Sequence, residues 1–141
     1  MKYLFLILCA FGLATGAVAQ QKADAAVKFV ETKHDFGKIK QGTPVTYDFA
    51  FSNAGAKPVV IESATASCGC TTPTWPKTPV AKSKKDKVSA GFNAAAAGTF
   101  EKSIQVKVAG YDLPIELKIT GEVLNSEDYA KYESNKAKKN G

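Results

Sequence analysis

Arginine is absent from this chain, and all 19 basic residues are lysine. The planar guanidinium of arginine is the group best suited to paired contacts with phosphate or guanine. Its absence argues against recognition of nucleic acid, and we expect no nucleic-acid partner. The charge is otherwise moderate, with 13 acidic residues and a formal net charge of +6.

Side chains that carry catalytic chemistry are also scarce. The chain has one histidine, His34, and three cysteines, at positions 9, 68 and 70. A lone histidine does not define a serine-type triad without a nucleophile and an orienting acid. The sequence also has no glycine-rich phosphate loop, His-Glu-x-x-His motif or calcium loop. We therefore predict that the protein is not an enzyme. We expect His34 to be a structural polar residue on a bent edge strand, beside an Asp35 that hydrogen-bonds the backbone at Gly37.

The N-terminus has the pattern of a secretory signal peptide. Lys2 precedes an apolar run over residues 3–14, and Ala17-Val18-Ala19 has the small-x-small form of a cleavage site. The run is shorter than the roughly 20 apolar residues of a membrane-spanning helix. We therefore predict a signal peptide over residues 1–19 that includes Cys9, no transmembrane segment in the mature chain, and a periplasmic or secreted location. The mature protein would have a net charge of +5, because the removed segment contains one lysine and no acidic residue.

The pattern of residues 27–124 predicts one all-β domain. Residues 20–26, QQKADAA, are small and polar and predict a flexible leader. Residues 27–124 contain short alternating segments separated by turn residues, which is typical of an antiparallel β-sandwich. We predict an immunoglobulin-like sandwich of seven antiparallel strands, followed by a polar, lysine-rich tail over residues 125–141 that holds at most one or two frayed helical turns. The predicted core consists of the inward positions Val45, Tyr47, Phe49, Phe51, Val59, Ile61, Val88, Phe92, Ile104, Val106, Ile115, Leu117 and Ile119.

Cys68 and Cys70 lie at the end of a β-branched run, separated only by Gly69. In an extended chain, residues two apart point to the same face, so the two thiols should be neighbours. A disulfide between them would need a turn or bulge at Gly69. It would stabilise the fold little, because closing so short a loop lowers the entropy of the unfolded chain by an amount equivalent to only about 1.6 kcal/mol. Three interpretations remain open: a buried or inert pair, a labile redox pair, or a site for a soft metal such as Cu(I).

The segment after the cysteines carries the densest charge cluster of the folded part. Trp75 is followed by lysines at positions 77, 82, 84, 85 and 87 within a proline-containing stretch that we expect to be an extended loop from Thr71 to Lys87. Such a cluster is either a solvated loop or a contact for an anionic surface. The candidate binding residues are therefore Cys68, Cys70, Trp75, Lys82, Lys84 and Lys85, with Cys68 and Cys70 as the metal ligands in the alternative interpretation.

Four short phrases of the sequence are specific in combination: Asp35-Phe36-Gly37, Asn53-x-Gly55, Cys68-Gly69-Cys70-Thr71 and Leu117-x-Ile119-x-Gly121. With these phrases, residues 29–123 resemble an exported bacterial family called domain of unknown function 1573, or DUF1573. The domain is also distantly similar to Hydin and major sperm protein type domains. The resemblance implies a seven-strand sandwich used for binding rather than catalysis.

The chain departs from the family pattern in two loops. Family members usually have a Pro-Gly turn where this chain has Ala81-Lys82-Ser83-Lys84-Lys85, and the loop after Val108 is shorter than usual. The leading hypothesis is an exported, non-catalytic binding module that recognises a protein or a cell-envelope component, without a cofactor. The alternative is a Cys68/Cys70 protein that binds Cu(I) or exchanges thiols.

Overall fold

The computed structural model describes residues 19–140 of the chain. The expected signal peptide therefore lies outside the described residues except for Ala19, and so does Cys9. A single turn of 3₁₀ helix over Ala23–Ala25 precedes eight strands and one helix: β1 Val27–Phe29, β2 Lys33–Lys40, β3 Val45–Asn53, β4 Ile61–Ala66, β5 Thr71–Thr74, β6 Lys85–Phe92, β7 Gly98–Val108, β8 Ile115–Leu124 and α1 Ser126–Lys139.

The strands form two four-stranded sheets that pack face to face. One sheet has the order β1-β3-β6-β5 and the other the order β2-β8-β7-β4. The predicted β-sandwich class is confirmed. The strand count is eight rather than seven, and the pairing is not antiparallel throughout, because β2 runs parallel to β8.

The division of the first predicted strand and the parallel pair have one origin. The first predicted strand divides where its apolar pattern is interrupted, and the chain crosses between the sheets there. The amide of Val30 still donates to the carbonyl of Ala50 on β3, whereas the carbonyl of Thr32 already accepts from Lys118 on β8. The chain does not reverse direction when it moves to the second sheet, so β2 keeps the direction of β1. Its new neighbour β8 runs in the same direction, and the pair is therefore parallel.

The core follows the predicted alternation. Eleven of the thirteen predicted positions are buried, and Val45 and Tyr47 are partly buried against the same cluster. Phe49, Val88, Ile104 and Leu117 are fully inaccessible to solvent. Burial of each such side chain contributes about 1.5 to 3 kcal/mol to the stability of the fold. These residues therefore hold the two sheets together.

Both ends of the domain are more ordered than expected. Residues 20–26 were predicted to be a flexible leader, but Ala23 and Ala26 are buried and Lys22 pairs with Leu113. The C-terminal tail forms a 14-residue helix instead of one or two turns. Asn125 caps this helix by accepting the amide of Asp128 at 2.9 Å, which satisfies an otherwise unpaired donor. Within residues 19–140, no helix is long and apolar enough to cross a membrane.

Candidate functional site

The two cysteines lie in a tight turn between β4 and β5, not in a strand. Ser67–Cys70 carry the chain from one sheet to the other, and the amide of Thr71 donates to the carbonyl of Cys68 at 3.3 Å. Cys68 and Cys70 form a disulfide with a Cα–Cα distance of 5.3 Å. The expected extended conformation is therefore wrong, whereas the expectation that the two sulfurs are neighbours is confirmed. The turn at Gly69 provides the approach that an extended chain would not.

Neighbouring strands hold this turn at both ends. On the β4 side, the amide of Ser67 donates to the carbonyl of Ser103 at 2.9 Å. The Ser67 hydroxyl accepts the amide of Ser103 at 3.2 Å. On the β5 side, the amide of Asn93 donates to the carbonyl of Cys70 at 3.0 Å. Backbone hydrogen bonds thus fix the path of the turn independently of the disulfide.

A small pocket opens beside the disulfide. Its volume is about 200 Å³, and Cys70 forms part of its wall together with Phe92, Phe100, Lys102 and the alanines of residues 95–97. The rings of Phe92 and Phe100 stack with centroids 4.1 Å apart. The pocket therefore combines an apolar wall, one cationic side chain and one cysteine. We call the cysteine turn together with this pocket the cysteine end of the sandwich.

The predicted lysine loop begins with a strand. Residues 71–74 form β5, so the loop proper spans residues 75–84. Trp75 is partly buried against the core, and the ammonium of Lys77 lies 3.2 Å from the centroid of its indole ring. Lys82, Lys84 and Lys85 are exposed. We call Trp75 and these four lysines the lysine end.

The structure separates the predicted site into two. Lys85 pairs with Ser52 near one end of β6, and Thr71, next to the cysteines, pairs with Phe92 at the other end. Seven residues of β6 separate these levels, or about 23 Å at 3.3 Å per residue. The single surface predicted from Cys68, Cys70, Trp75 and the lysines is therefore not formed. The cysteines and Lys85 lie at opposite ends of the sandwich, and Trp75, which follows the Thr74–Ser89 pair, lies between these levels.

The family model for "Protein of unknown function (DUF1573)" matches residues 27–123. The chain belongs to this family. No curated protein sequence matches the chain.

Solved structures with the same fold come from diverse proteins. The ASH/PapD-like domain 7 of human CEP192 has a TM-score of 0.62 and 10% identity, over 89% of this chain and 98% of that one. A protein of unknown function from Porphyromonas gingivalis W83 has a TM-score of 0.59 and 16% identity, over 69% of this chain and 46% of that one. The secreted serine protease VesC from Vibrio cholerae has a TM-score of 0.56 and 13% identity, over 71% of this chain and 23% of that one. This chain thus spans just under half of the Porphyromonas protein, and at such identities the likeness concerns the fold alone.

The DUF1573 phrase Asn53-x-Gly55 has a structural role. Asn53 is 1% exposed. Its side-chain amide donates to the carbonyls of Lys57 and Val80, both at 2.8 Å, and its side-chain oxygen accepts the amide of Gly55 at 2.9 Å. One buried side chain thereby ties the loop after β3 to the lysine loop. The family phrase singles out Asn53 in the sequence, but the burial of its side chain between two loops becomes visible only in the structure.

Two further DUF1573 phrases also serve packing. Gly37 has a φ of +66° at a bulge in β2, and its amide donates to the Asp35 carboxylate at 2.9 Å as predicted. A Cβ on Gly121 would lie 2.8 Å from the Phe100 ring and 2.9 Å from the Gly37 carbonyl. Glycine at position 121 is therefore required for this close approach. An open depression of about 530 Å³ lies over the same region.

His34 occupies a partly buried aromatic cluster at the sheet crossing. Its ring stacks on Tyr47 with centroids 3.5 Å apart and a 5° interplanar angle, and its Nδ1 lies 3.5 Å from a Glu31 carboxylate oxygen. The pKa of Tyr47 is raised above its ordinary value, chiefly by a hydrogen bond to Glu31 and then by desolvation. This arrangement agrees with the structural role predicted for His34.

The metal interpretation requires a change of state at the cysteines. The two sulfurs are bonded to each other, whereas Cu(I) is held by thiolates. Among residues 19–140, no three His, Cys, Asp or Glu side chains are close enough together to hold a metal ion. A two-thiolate copper site would therefore form only after the disulfide is reduced.

Proposed function

We propose that this DUF1573 protein is an exported, non-catalytic binding module of the bacterial cell envelope, and that its lysine end contacts an anionic protein or another anionic envelope component. The observation that carries the proposal is the set of exposed lysines without an ion-pair partner in the loop that follows Trp75. None of the four lysines of the lysine end forms an ion pair within residues 19–140. The ion pairs of this part of the chain involve other lysines, such as Lys87, whose ammonium lies 2.5 Å from the Asp48 carboxylate. Asp86 is the only acidic residue between positions 75 and 87.

Backbone hydrogen bonds order the lysine loop in the unbound protein. Val59 and Val80 exchange two backbone hydrogen bonds at 2.9 and 2.8 Å. Asn53 exchanges backbone hydrogen bonds with Ser83 and Lys84, both at 2.9 Å. A loop that is already ordered loses less conformational entropy on binding. Binding residues are commonly carried by such loops on a rigid scaffold.

The chemistry of the lysine end favours an anionic partner. Each lysine close to an anionic surface contributes about 1 kcal/mol of attraction, and this attraction weakens as salt screens the charges. The indole of Trp75 adds an aromatic surface of the kind enriched at interfaces. The proposal therefore predicts strongly salt-dependent binding.

Charge reversal at the lysine end tests this proposal. In the variant with Lys82→Glu, Lys84→Glu and Lys85→Glu, binding of the purified protein to washed cell-envelope fractions should fall about a hundredfold at low salt. The matched control reverses Lys136, Lys138 and Lys139 on α1, which changes the net charge by the same amount at a different place. Pretreating the envelope fraction with protease distinguishes a protein partner from a lipid or polymer. Equal losses in the two variants would show that only the net charge matters and would refute a defined site.

Export is tested separately from binding. The intact mass of the protein recovered outside the cytoplasm should correspond to a chain that begins at or near Gln20. A lipid-modified N-terminus at Cys9 would contradict the proposed cleavage after Ala19.

A further inference from the structure

We propose that the Cys68–Cys70 disulfide is an exchange site that oxidises a pair of cysteines in a partner protein. This step goes beyond the binding proposed for the lysine end, and it concerns the opposite end of the sandwich. Three of the four DUF1573 phrases have packing roles in the structure. The fourth, Cys68-Gly69-Cys70-Thr71, contains a disulfide bond that contributes little to the stability of the fold.

The disulfide contributes little to the stability of the folded domain. It joins residues two apart in sequence, and so short a closed loop removes little entropy from the unfolded chain. The turn is already tied to Ser103 and to Asn93 by backbone hydrogen bonds. Cys70 packs only at the margin of the core, and the nearby Phe92 and Ile104 are themselves buried. Stability alone therefore gives no reason for a bond at this position.

The location of the disulfide suits exchange with an external thiol. Both cysteines are partly exposed and lie on a turn at the end of the sandwich. Exposed disulfides have more oxidising potentials than buried structural ones and exchange more readily. A thiolate from outside can reach this bond without unfolding the core.

The pocket indicates which sulfur is attacked. Of the two cysteines, Cys70 is the one that lines the pocket. A thiolate attacks along the S–S axis, from the side opposite to the leaving sulfur. A thiolate that enters through the pocket therefore attacks the Sγ of Cys70, and the electron pair of the broken bond leaves on the Sγ of Cys68.

Thr71 is placed to stabilise the leaving group. Its Oγ1 lies 3.7 Å from the Sγ of Cys68 and 3.9 Å from the Sγ of Cys70. Thr71 is only 4% exposed, so its hydroxyl has little competition from solvent. Donation of this O–H to the new Cys68 thiolate favours the thiolate over the thiol, because a hydrogen bond to the charged form lowers a pKa.

The complete reaction transfers two electrons. The first step forms a mixed disulfide between the partner and Cys70 and releases the Cys68 thiolate. A second thiolate of the partner then attacks the partner's own sulfur in the mixed disulfide and releases the Cys70 thiolate. The partner ends with a new disulfide. Cys68 and Cys70 end as a reduced pair that takes up the two protons lost by the partner's thiols.

The same pocket defines the class of substrate. The phenyl rings of Phe92 and Phe100 and the alanines of residues 95–97 offer an apolar surface large enough for one side chain. Lys102, on the same wall, attracts the incoming thiolate. The preferred substrate is therefore a protein thiol that has a large apolar residue beside it.

Peptide thiols test both the attacked atom and the selectivity. The purified, oxidised protein is mixed with an excess of a peptide containing Leu-Cys-Leu or Ser-Cys-Ser, then acid-quenched, alkylated and digested. Mass spectrometry should place the peptide adduct on Cys70 and the alkyl group on Cys68. The leucine peptide should react about tenfold faster, the effect of burying one large apolar side chain. An adduct chiefly on Cys68, equal rates for the two peptides, or no exchange would overturn the proposal.

Variants separate this site from the rest of the molecule. Ala96→Trp, at an exposed position in the pocket wall, should remove the preference for the leucine peptide. Ala56→Trp, at an exposed position in the loop after β3, should keep it. The charge-reversed lysine-end variant should exchange like the wild type, so a failure of the binding proposal can be told from a failure of this one. The double variant Cys68→Ser, Cys70→Ser should remain folded, and a large loss of its thermal stability would mean that the bond is structural.

Discussion

The Asn53→Ala substitution tests the buried network that connects the loops of the lysine end. It removes three hydrogen bonds of 2.8 to 2.9 Å from a side chain that is 1% exposed. Each bond contributes about 1 kcal/mol net, so the free energy of unfolding should fall by about 3 kcal/mol. For a domain of this size, the melting temperature should fall by roughly 12 to 24 °C.

Chemical denaturation followed by tryptophan fluorescence measures this loss, because Trp75 lies in the affected loop. The matched control is Asn93→Ala. Asn93 also accepts an amide two residues later, from Ala95 at 3.1 Å, but it is exposed. The control should lose no more than about 0.5 kcal/mol, as is usual at the surface. If the two variants lost similar amounts, or Asn53→Ala lost less than about 1 kcal/mol, the assigned role of the buried network would be wrong.

Three further predictions concern the core, one turn and one ion pair. Phe49→Ala should cost about 3 to 5 kcal/mol in denaturation and the exposed Thr46→Ala little, whereas equal costs would contradict the register of β3. Ser83→Gly should raise the free energy of unfolding by about 0.5 to 1 kcal/mol, since Ser83 has a φ of +64° that glycine adopts without strain; a loss would show that the serine side chain is needed. Hydrogen bonds from Lys87 and then Ser89 hold the pKa of Asp48 below its ordinary value of 3.8. The ionised carboxylate therefore stabilises the fold above that value, and this stabilisation is lost as the pH falls through the lowered pKa. The stability difference between wild type and Asp48→Asn should thus shrink on acidification, and a difference that grew would refute this assignment.

The core residues could be predicted from the sequence because a strand with one buried face repeats every two residues. Residues 45–52 and 115–119 show this alternation without interruption, and the structure buries the predicted faces. The sheet crossing after Phe29 could not be predicted in the same way. It depends on which distant strand offers a free edge, and local pattern carries no information about that choice.

Parts of the candidate site illustrate the same limit. The sequence indicated that Cys68 and Cys70 were unusual and that the lysines after Trp75 formed a cluster. It did not reveal that Phe92, Phe100 and Lys102 form a pocket beside the disulfide, because Phe92 lies on β6 and the other two on β7. Phe92 could be assigned to the core from its alternation, but its role as a pocket wall depends on the β6–β7 connection.

By itself, the sequence determined the class of the fold, the buried face of most strands and the identity of the chemically distinctive residues, because these properties depend on local periodicity and composition. Only the tertiary structure decided where those residues meet. Ser67–Cys70 cross between sheets at one end, and β5 and β6 then carry the chain along the sandwich, so residues close in sequence are separated. Conversely, Asn53, Lys57 and Val80 meet because two loops close over the same edge of the core. Pairing between distant strands is set by the packing of the whole domain, and no single segment of the chain encodes it.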